Sequence, residues 1–187
     1  MFLRNGYLGT SMDDVAALAS VSKQTVYTHF ADKQALFTAL VLGNIERAEA
    51  FLPVALELGH RDDMQRDLAE FARRYLSTVI QPSVLQLRRL VIAEAGRFPD
   101  LARTYYKRLP ERTVSMLAAA LAQLTDRGLL RIDDTIEAAS HFAWLILASP
   151  LDRAMFFGPT TLPQSDIDRI AAAAVRVFLA AYRVPTS

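Results

Sequence analysis

Thr10-Ser11-Met12-Asp13-Asp14-Val15-Ala16-Ala17-Leu18-Ala19-Ser20-Val21-Ser22-Lys23-Gln24-Thr25-Val26-Tyr27-Thr28-His29-Phe30 reads as two short helices joined by the three residues Ser20-Val21-Ser22. A joint that short sets two helices at a steep angle, the geometry of a helix-turn-helix. Thr10 and Ser11 stand before the first helix, Met12–Ala19, and Asp13 and Asp14 follow in a capping-box-like arrangement. Ser22 is the natural N-cap of the second helix, Lys23–Phe30. The spacing predicts an inner face of Met12, Val15, Ala16 and Ala19 on the first helix. Val21 is expected to plug the turn, and Val26 and Phe30, at i and i+4, to form the inner face of the second helix.

The rest of the second helix is Lys23, Gln24, Thr25, Tyr27, Thr28 and His29. These are hydrogen-bonding groups of moderate length with no carboxylate among them, which suits a helix entering a major groove. Lys23 and Gln24 can reach base edges, and Thr25 can touch a thymine methyl or a base edge. Tyr27 and His29 can donate to phosphate oxygens, and the helix starts at Thr10-Ser11 and Ser22 turn free amides toward anions. Lys33, in the first turn of the next helix, supplies a further phosphate contact.

Outward from this stretch the chain reads as all-α. Phe2–Asn5 look like the tail of a first helix, stopped at Gly6. Asp32 caps a long helix to about Leu52, where Pro53 is expected to stop it. Helices follow near Asp63–Ile80, Ser83–Ala95, Pro99–Lys107, Glu111–Arg127, Thr135–Ala148 and Asp166–Tyr182, with a short helix or bend around Leu151–Phe157. Gly128 reads as a C-terminal stop. Good helix formers dominate, and alternating β-branched patterns are nearly absent. The organisation expected is a helix-turn-helix domain over residues 1–44 and a helical effector-binding and dimerisation domain over 45–187, joined rigidly by the uninterrupted helix after Asp32.

Composition narrows the function class. The 187 residues are 52% apolar, enough to bury a core and too apolar for disorder. Without cysteine there is no disulfide, thiolate metal site or cysteine nucleophile. The most apolar run, Phe142–Leu147 and on to Leu151, is broken by Ser149 and Pro150, short of the roughly 20 residues that span a bilayer. No secretory pattern opens the chain. The expectation is a soluble, cytoplasmic protein with no membrane partner, no metal and no cofactor. Net charge is +1, and residues 1–47 balance Arg4, Lys23, Lys33 and Arg47 against Asp13, Asp14, Asp32 and Glu46. Counterion release per subunit is therefore modest, and affinity leans on helix N-termini and on two subunits binding together.

The run from Gly6-Tyr7 through Thr10-Ser11-Met12, Val21-Ser22-Lys23, Val26-Tyr27-Thr28-His29-Phe30, Asp32-Lys33 and Leu36-Phe37 resembles the DNA-binding region of TetR-family transcriptional regulators. The likeness covers about residues 2–42. It implies that the second helix is the recognition helix, with Tyr27, His29 and Lys33 at phosphate-contacting positions and Lys23, Gln24 and Thr25 at base-facing ones. Family members carry a fuller first helix and often a basic arm. This chain enters part-way into that helix, at Met1-Phe2-Leu3-Arg4, so arm contacts are not assigned. Further on, Leu87–Glu94 followed by Gly96-Arg97-Phe98-Pro99-Asp100-Leu101-Ala102 is similar, more loosely, to the sensing domain of the AefR-like subgroup.

The resemblance implies a homodimer whose last two long helices form a four-helix bundle with their copies. Two recognition helices would then sit about one DNA turn apart, roughly 34–36 Å or a multiple, on a roughly palindromic double-stranded operator. Residue patterns point to a second subunit as well. Val114, Leu117, Leu121 and Leu124 follow a heptad-like seam, and Thr135–Ala148 is apolar almost all round, so it must be covered on every side. The last helix adds Ile167, Ile170, Ala174, Val175, Phe178 and Tyr182. Candidate effector-pocket residues are Phe71, Tyr75, Arg88, Ile92, Tyr105, Met116, His141 and Trp144, each of which plain core packing would also explain. Arg88 or His141 would mark a polar spot in an apolar cavity, and the mixture suggests an apolar or aromatic effector.

The mechanism this implies is a two-state switch, in which ligand in the core shifts the long helix and changes the separation of the recognition helices. Repression is the family default. An enzyme is disfavoured: no nucleophile elbow, phosphate-cradling loop or zinc-binding His-Glu-x-x-His is present, and the histidines at 29, 60 and 141 are far apart in sequence. The alternative that keeps weight is a helical small-molecule-binding or interaction protein with a vestigial DNA-binding head.

Overall fold

The computed structural model describes residues 1–55, 63–159 and 161–185. His60 lies outside them. The elements of the described chain are α1 Phe2–Asn5, α2 Met12–Leu18, α3 Lys23–His29, α4 Lys33–Ala55, α5 Met64–Val79, α6 Pro82–Ala93, α7 Pro99–Tyr106, α8 Arg112–Asp126, α9 Thr135–Phe157 and α10 Gln164–Tyr182. Among the described residues the only β pairing is one antiparallel bridge, Leu130 with Arg183, which ties the α8–α9 link to the end of α10.

The sequence sets most starts through caps. Ser11 and Asp14 complete a capping box, and Ser22 Oγ accepts from the Thr25 amide at 3.1 Å. Asp32, Asp63 and Asp134 accept from the first-turn amides of Ala35, Arg66 and Ile136 respectively. At the other end of α8, Gly128 has φ +72°, a left-handed conformation that a side chain disfavours. Ser20 closes the turn between α2 and α3 with φ 55° despite carrying a Cβ.

Three expectations need correction. Pro53 does not stop α4, which runs to Ala55. Pro150 does not end α9, because the missing amide removes one bond while packing of Ile146, Leu147, Leu151 and Ala154 on the same core holds the helix through to Phe157. The bend expected around Leu151–Phe157 is therefore the end of that one helix. Likewise α7 and α8 are joined by a turn of π-helix, Lys107–Glu111, which accommodates Pro110 without a loop.

Two cores result. The larger packs α5, α8, α9 and α10 around Phe71, Leu117, Leu121, Phe142, Ile146 and Phe178. Each such buried side chain contributes about 1.5–3 kcal/mol. The apolar face of α10 is spent here: Ile167, Ala174, Val175 and Phe178 are buried in the chain's own core, as are Leu117, Leu121 and Leu124 of the α8 seam. They are thus not the surface available to a second subunit. The smaller core joins the two parts of the chain. Phe2 and Phe37 pack edge-on at 5.4 Å, Tyr7 stands 4.9 Å from Phe98, and Phe37 5.1 Å from Phe98. Val41, Ile45, Leu90 and Leu101 complete it. The joint between head and body is a packed aromatic cluster as well as a continuous helix.

Candidate functional site

The helix-turn-helix is held by a small apolar contact of Met12, Ala16 and Val26, with Phe30 and Leu36 packed beside it. Val21 is exposed and does not plug the turn, and Ala19 is exposed too. The left-handed Ser20 carries the turn, turning Val21 outward; Ala19 follows the last residue of α2, outside its buried stripe. Burying Val26 leaves Lys23, Gln24, Thr25, Tyr27, Thr28 and His29 all facing solvent, with Tyr27 51% exposed.

These side chains are not equally available. Gln24, Tyr27 and His29 make no side-chain hydrogen bond among the described residues. Thr28 Oγ1 donates back to the Gln24 carbonyl at 2.8 Å, and Thr25 shares a hydrogen bond with Ser22. Lys23 Nζ is 2.5 Å from Asp13 Oδ2, and the Asp13 hydrogen bond holds the Lys23 ammonium above its ordinary pKa. Ser11 is engaged with Asp14. Lys33 turns inward: Nζ donates to the carbonyls of Tyr7 at 3.0 Å and Thr10 at 2.9 Å and lies 4.5 Å from the Tyr7 ring centre. Thr10 is buried, its hydroxyl donating to the Gly6 carbonyl, so its side chain is not offered to a partner at all.

A second feature lies in the body. An open cleft of about 830 Å³ is bounded by α6, α7, the π-turn and α9. Arg88, Ile92, Tyr105 and Trp144 line it, four of the eight residues singled out from the sequence. Phe71 is core, stacked on Tyr75 at 5.5 Å. Met116 is half-buried on α8, outside the lining. His141 is on the outer surface, its Nδ1 2.8 Å from the Tyr182 hydroxyl, so it does not mark the cavity. Tyr75 is half-buried against the larger core and outside the lining, within electrostatic reach of Arg88. Burial pushes its phenol up to about 12, and Tyr105 is raised for the same reason, so both stay neutral.

Next to the cleft, Arg108 of the π-turn grips Glu49 of α4, and Arg112 reaches the same carboxylate at 3.4 Å. The Arg108 hydrogen bond holds Glu49 below its ordinary carboxylate pKa, against the opposing effect of burial. Cleft wall and head-bearing helix are thereby linked directly.

Comparison with known proteins decides the family. Residues 1–40 match the description "Bacterial regulatory proteins, tetR family", and residues 66–184 match "AefR-like transcriptional repressor, C-terminal domain". The chain belongs to the TetR family of transcriptional regulators.

Among solved structures, a TetR-family transcriptional regulator from Mesorhizobium loti MAFF303099 is 38% identical. That match covers 98% of this chain and 91% of that one, with TM-score 0.89. The Flavonoid-responsive Regulator FrrA is 34% identical over 99% of this chain and 92% of that one, with TM-score 0.75. A TetR-family regulator from Pseudomonas syringae pv. tomato str. DC3000 is 25% identical over the same shares, also with TM-score 0.75. No curated protein sequence matches the chain. Among the described residues no helix is long and apolar enough to cross a membrane.

In this TetR-family body, sequence reasoning missed Tyr106, Pro110, Asp152 and Arg153 of the cleft lining. Trp144, Ala148 and Asp152 recur every four residues and face one side of α9. Reading Pro150 as a break hid that stripe.

Proposed function

We propose that the chain is a ligand-responsive repressor that binds a roughly palindromic operator as a homodimer and acts in the cytoplasm. The observation that carries this reading is the outward face of α3, where Gln24, Tyr27 and His29 are exposed and unengaged beside Lys23. Gln24 reads a base edge, Tyr27 and His29 donate to phosphates, and Ser22 and Thr25 flank the helix start. Lys33 acts chiefly by fixing the α1–α2 turn and has one donor left for a phosphate. The second subunit covers what the chain leaves open on α9 and α10, including Ile136, Leu145 and Val177. The division at residues 1–44 and 45–187 is a functional one, since the aromatic cluster straddles it.

The cleft supports sensing. Its volume suits a drug-sized molecule, and FrrA, similar over nearly the whole chain, is named as flavonoid-responsive. An aromatic effector entering between α7 and α9 would displace the π-turn, and Glu49 would carry that displacement to α4 and the head. No turnover is assigned to the cleft. One observation favours the second reading, a body with a vestigial head: Lys23 is paired and Lys33 is turned inward.

A gel shift on DNA from the region upstream of the chain's own reading frame, at rising salt, tests the proposal. A shifted band that weakens with salt and shows dimer stoichiometry supports it. No shift at low salt selects the second reading.

A further inference from the structure

Arg88 is an unusual tenant for a wall that is otherwise largely apolar and aromatic. It projects from α6 into the cleft, half-buried, and makes no hydrogen bond or ion pair among the described residues. Its electrostatic neighbours are phenols, Tyr75 and Tyr105, and burial holds both in the neutral form, so neither supplies a counter-charge. Asp152 lines the same cleft but is exposed, and no ion pair joins it to Arg88 among the described residues. Arg153, the other guanidinium of the lining, is also exposed and sits over the Phe157 ring, 5.9 Å from its centre. A half-desolvated guanidinium without an acceptor is costly to the empty protein and rewards a ligand that supplies one. Its planar fork matches a carboxylate in two hydrogen bonds. Tyr105 of α7 and Trp144 of α9, which line the walls, give flat apolar surface for a ring system.

We propose that the cleft takes a planar aromatic carboxylate, its rings between the α7 and α9 walls and its acid group on Arg88. This rests on the sensing role proposed above and adds the charge of the molecule sensed. Arg88 is the specificity-determining residue. Arg153, exposed and set over the Phe157 ring, is not.

The probe pair is naphthalene-2-carboxylate and naphthalene-2-carboxamide, both built on a flat ring system, alike in shape and different in charge. Trp144 is the only tryptophan in the chain and reports binding through its emission, with calorimetry giving affinities. The full chain is expected to bind the carboxylate roughly tenfold to a hundredfold more tightly than the amide. Arg88→Met should bring the carboxylate down to the level of the amide while the amide is unaffected. Arg153→Gln should keep the preference. Equal affinities in the unaltered chain, no binding of either probe, or a preference that survives Arg88→Met would each overturn the assignment. The unaltered-chain comparison stands even if Arg88→Met fails to fold. A DNA-release assay separates this from the sensing role. Arg88-dependent binding that leaves DNA bound sinks the sensing role alone, and release by the amide as effective as by the carboxylate sinks the charge assignment alone.

Discussion

Glu49 of α4 and Arg108 of the π-turn are joined by two parallel hydrogen bonds, Nε to Oε1 at 3.0 Å and Nη2 to Oε2 at 2.5 Å. The pair spans 59 residues of sequence and connects the helix that carries the DNA-binding head to a segment whose Pro110 lines the cleft. Glu49→Gln should leave probe binding in the cleft unchanged and weaken its effect on DNA affinity, because binding and coupling are separate free energies. Parallel calorimetry and DNA titration would check this.

The same pair gives a pH dependence. Glu49 titrates below its ordinary value of 4.5 in the folded chain. Its contribution to stability is therefore fully present above that value and is lost as pH falls through the lower, folded value. Thermal melts of the unaltered chain should lose stability on acidification below about pH 4.5, and Glu49→Gln should flatten part of that slope.

Asp13 restrains Lys23 on the recognition helix. Asp13→Asn removes the competitor for the ammonium and should tighten DNA binding at low salt. The slope of log affinity against log salt should steepen, because one carboxylate is removed from the DNA-facing surface and one ammonium is freed toward the duplex. Anisotropy titrations at several salt concentrations would show it.

Phe37 sits at the centre of the Phe2, Tyr7 and Phe98 cluster and is 1% exposed. Phe37→Ala should cost about 3–5 kcal/mol and lower Tm by roughly 10 °C. Lys33→Ala should also lower Tm, by less, since it frees the Tyr7 and Thr10 carbonyls. A simple phosphate-contact lysine would leave Tm unmoved.

Leu145 and Val177 are 40% and 49% exposed on α9 and α10. The double change Leu145→Glu and Val177→Glu should convert a species of twice the 20.8 kDa chain mass into a monomer. Light scattering across micromolar concentrations would distinguish the two.

What the sequence made legible was what local chemistry controls. Ser11, Ser22, Asp32, Asp63 and Asp134 bond their own first turns, so helix starts follow from neighbours a few residues away. The face of α3 was readable because one buried Val26 fixes the rotation of a seven-residue helix. What failed depended on distant partners. Pro53 and Pro150 sit within helices that run past them, the second held by packing of its own neighbours, and Pro110 sits in a π-turn. Thr10 and Lys33 looked like free polar groups, yet the Gly6, Tyr7 and Thr10 carbonyls that engage them belong to a turn whose folding the sequence pattern does not display. The cleft was half legible for the same reason: Arg88 and Tyr105 stood out by residue type, whereas Ala148 and Asp152 matter only because α9 continues.

The most direct test is selection of bound sequences from a random duplex library by the unaltered chain and by Gln24→Ala. The account predicts an inverted repeat for the unaltered chain and loss of preference at one position in each half-site for Gln24→Ala. No enriched repeat, or the same repeat from both proteins, would contradict the placement of α3 in the groove.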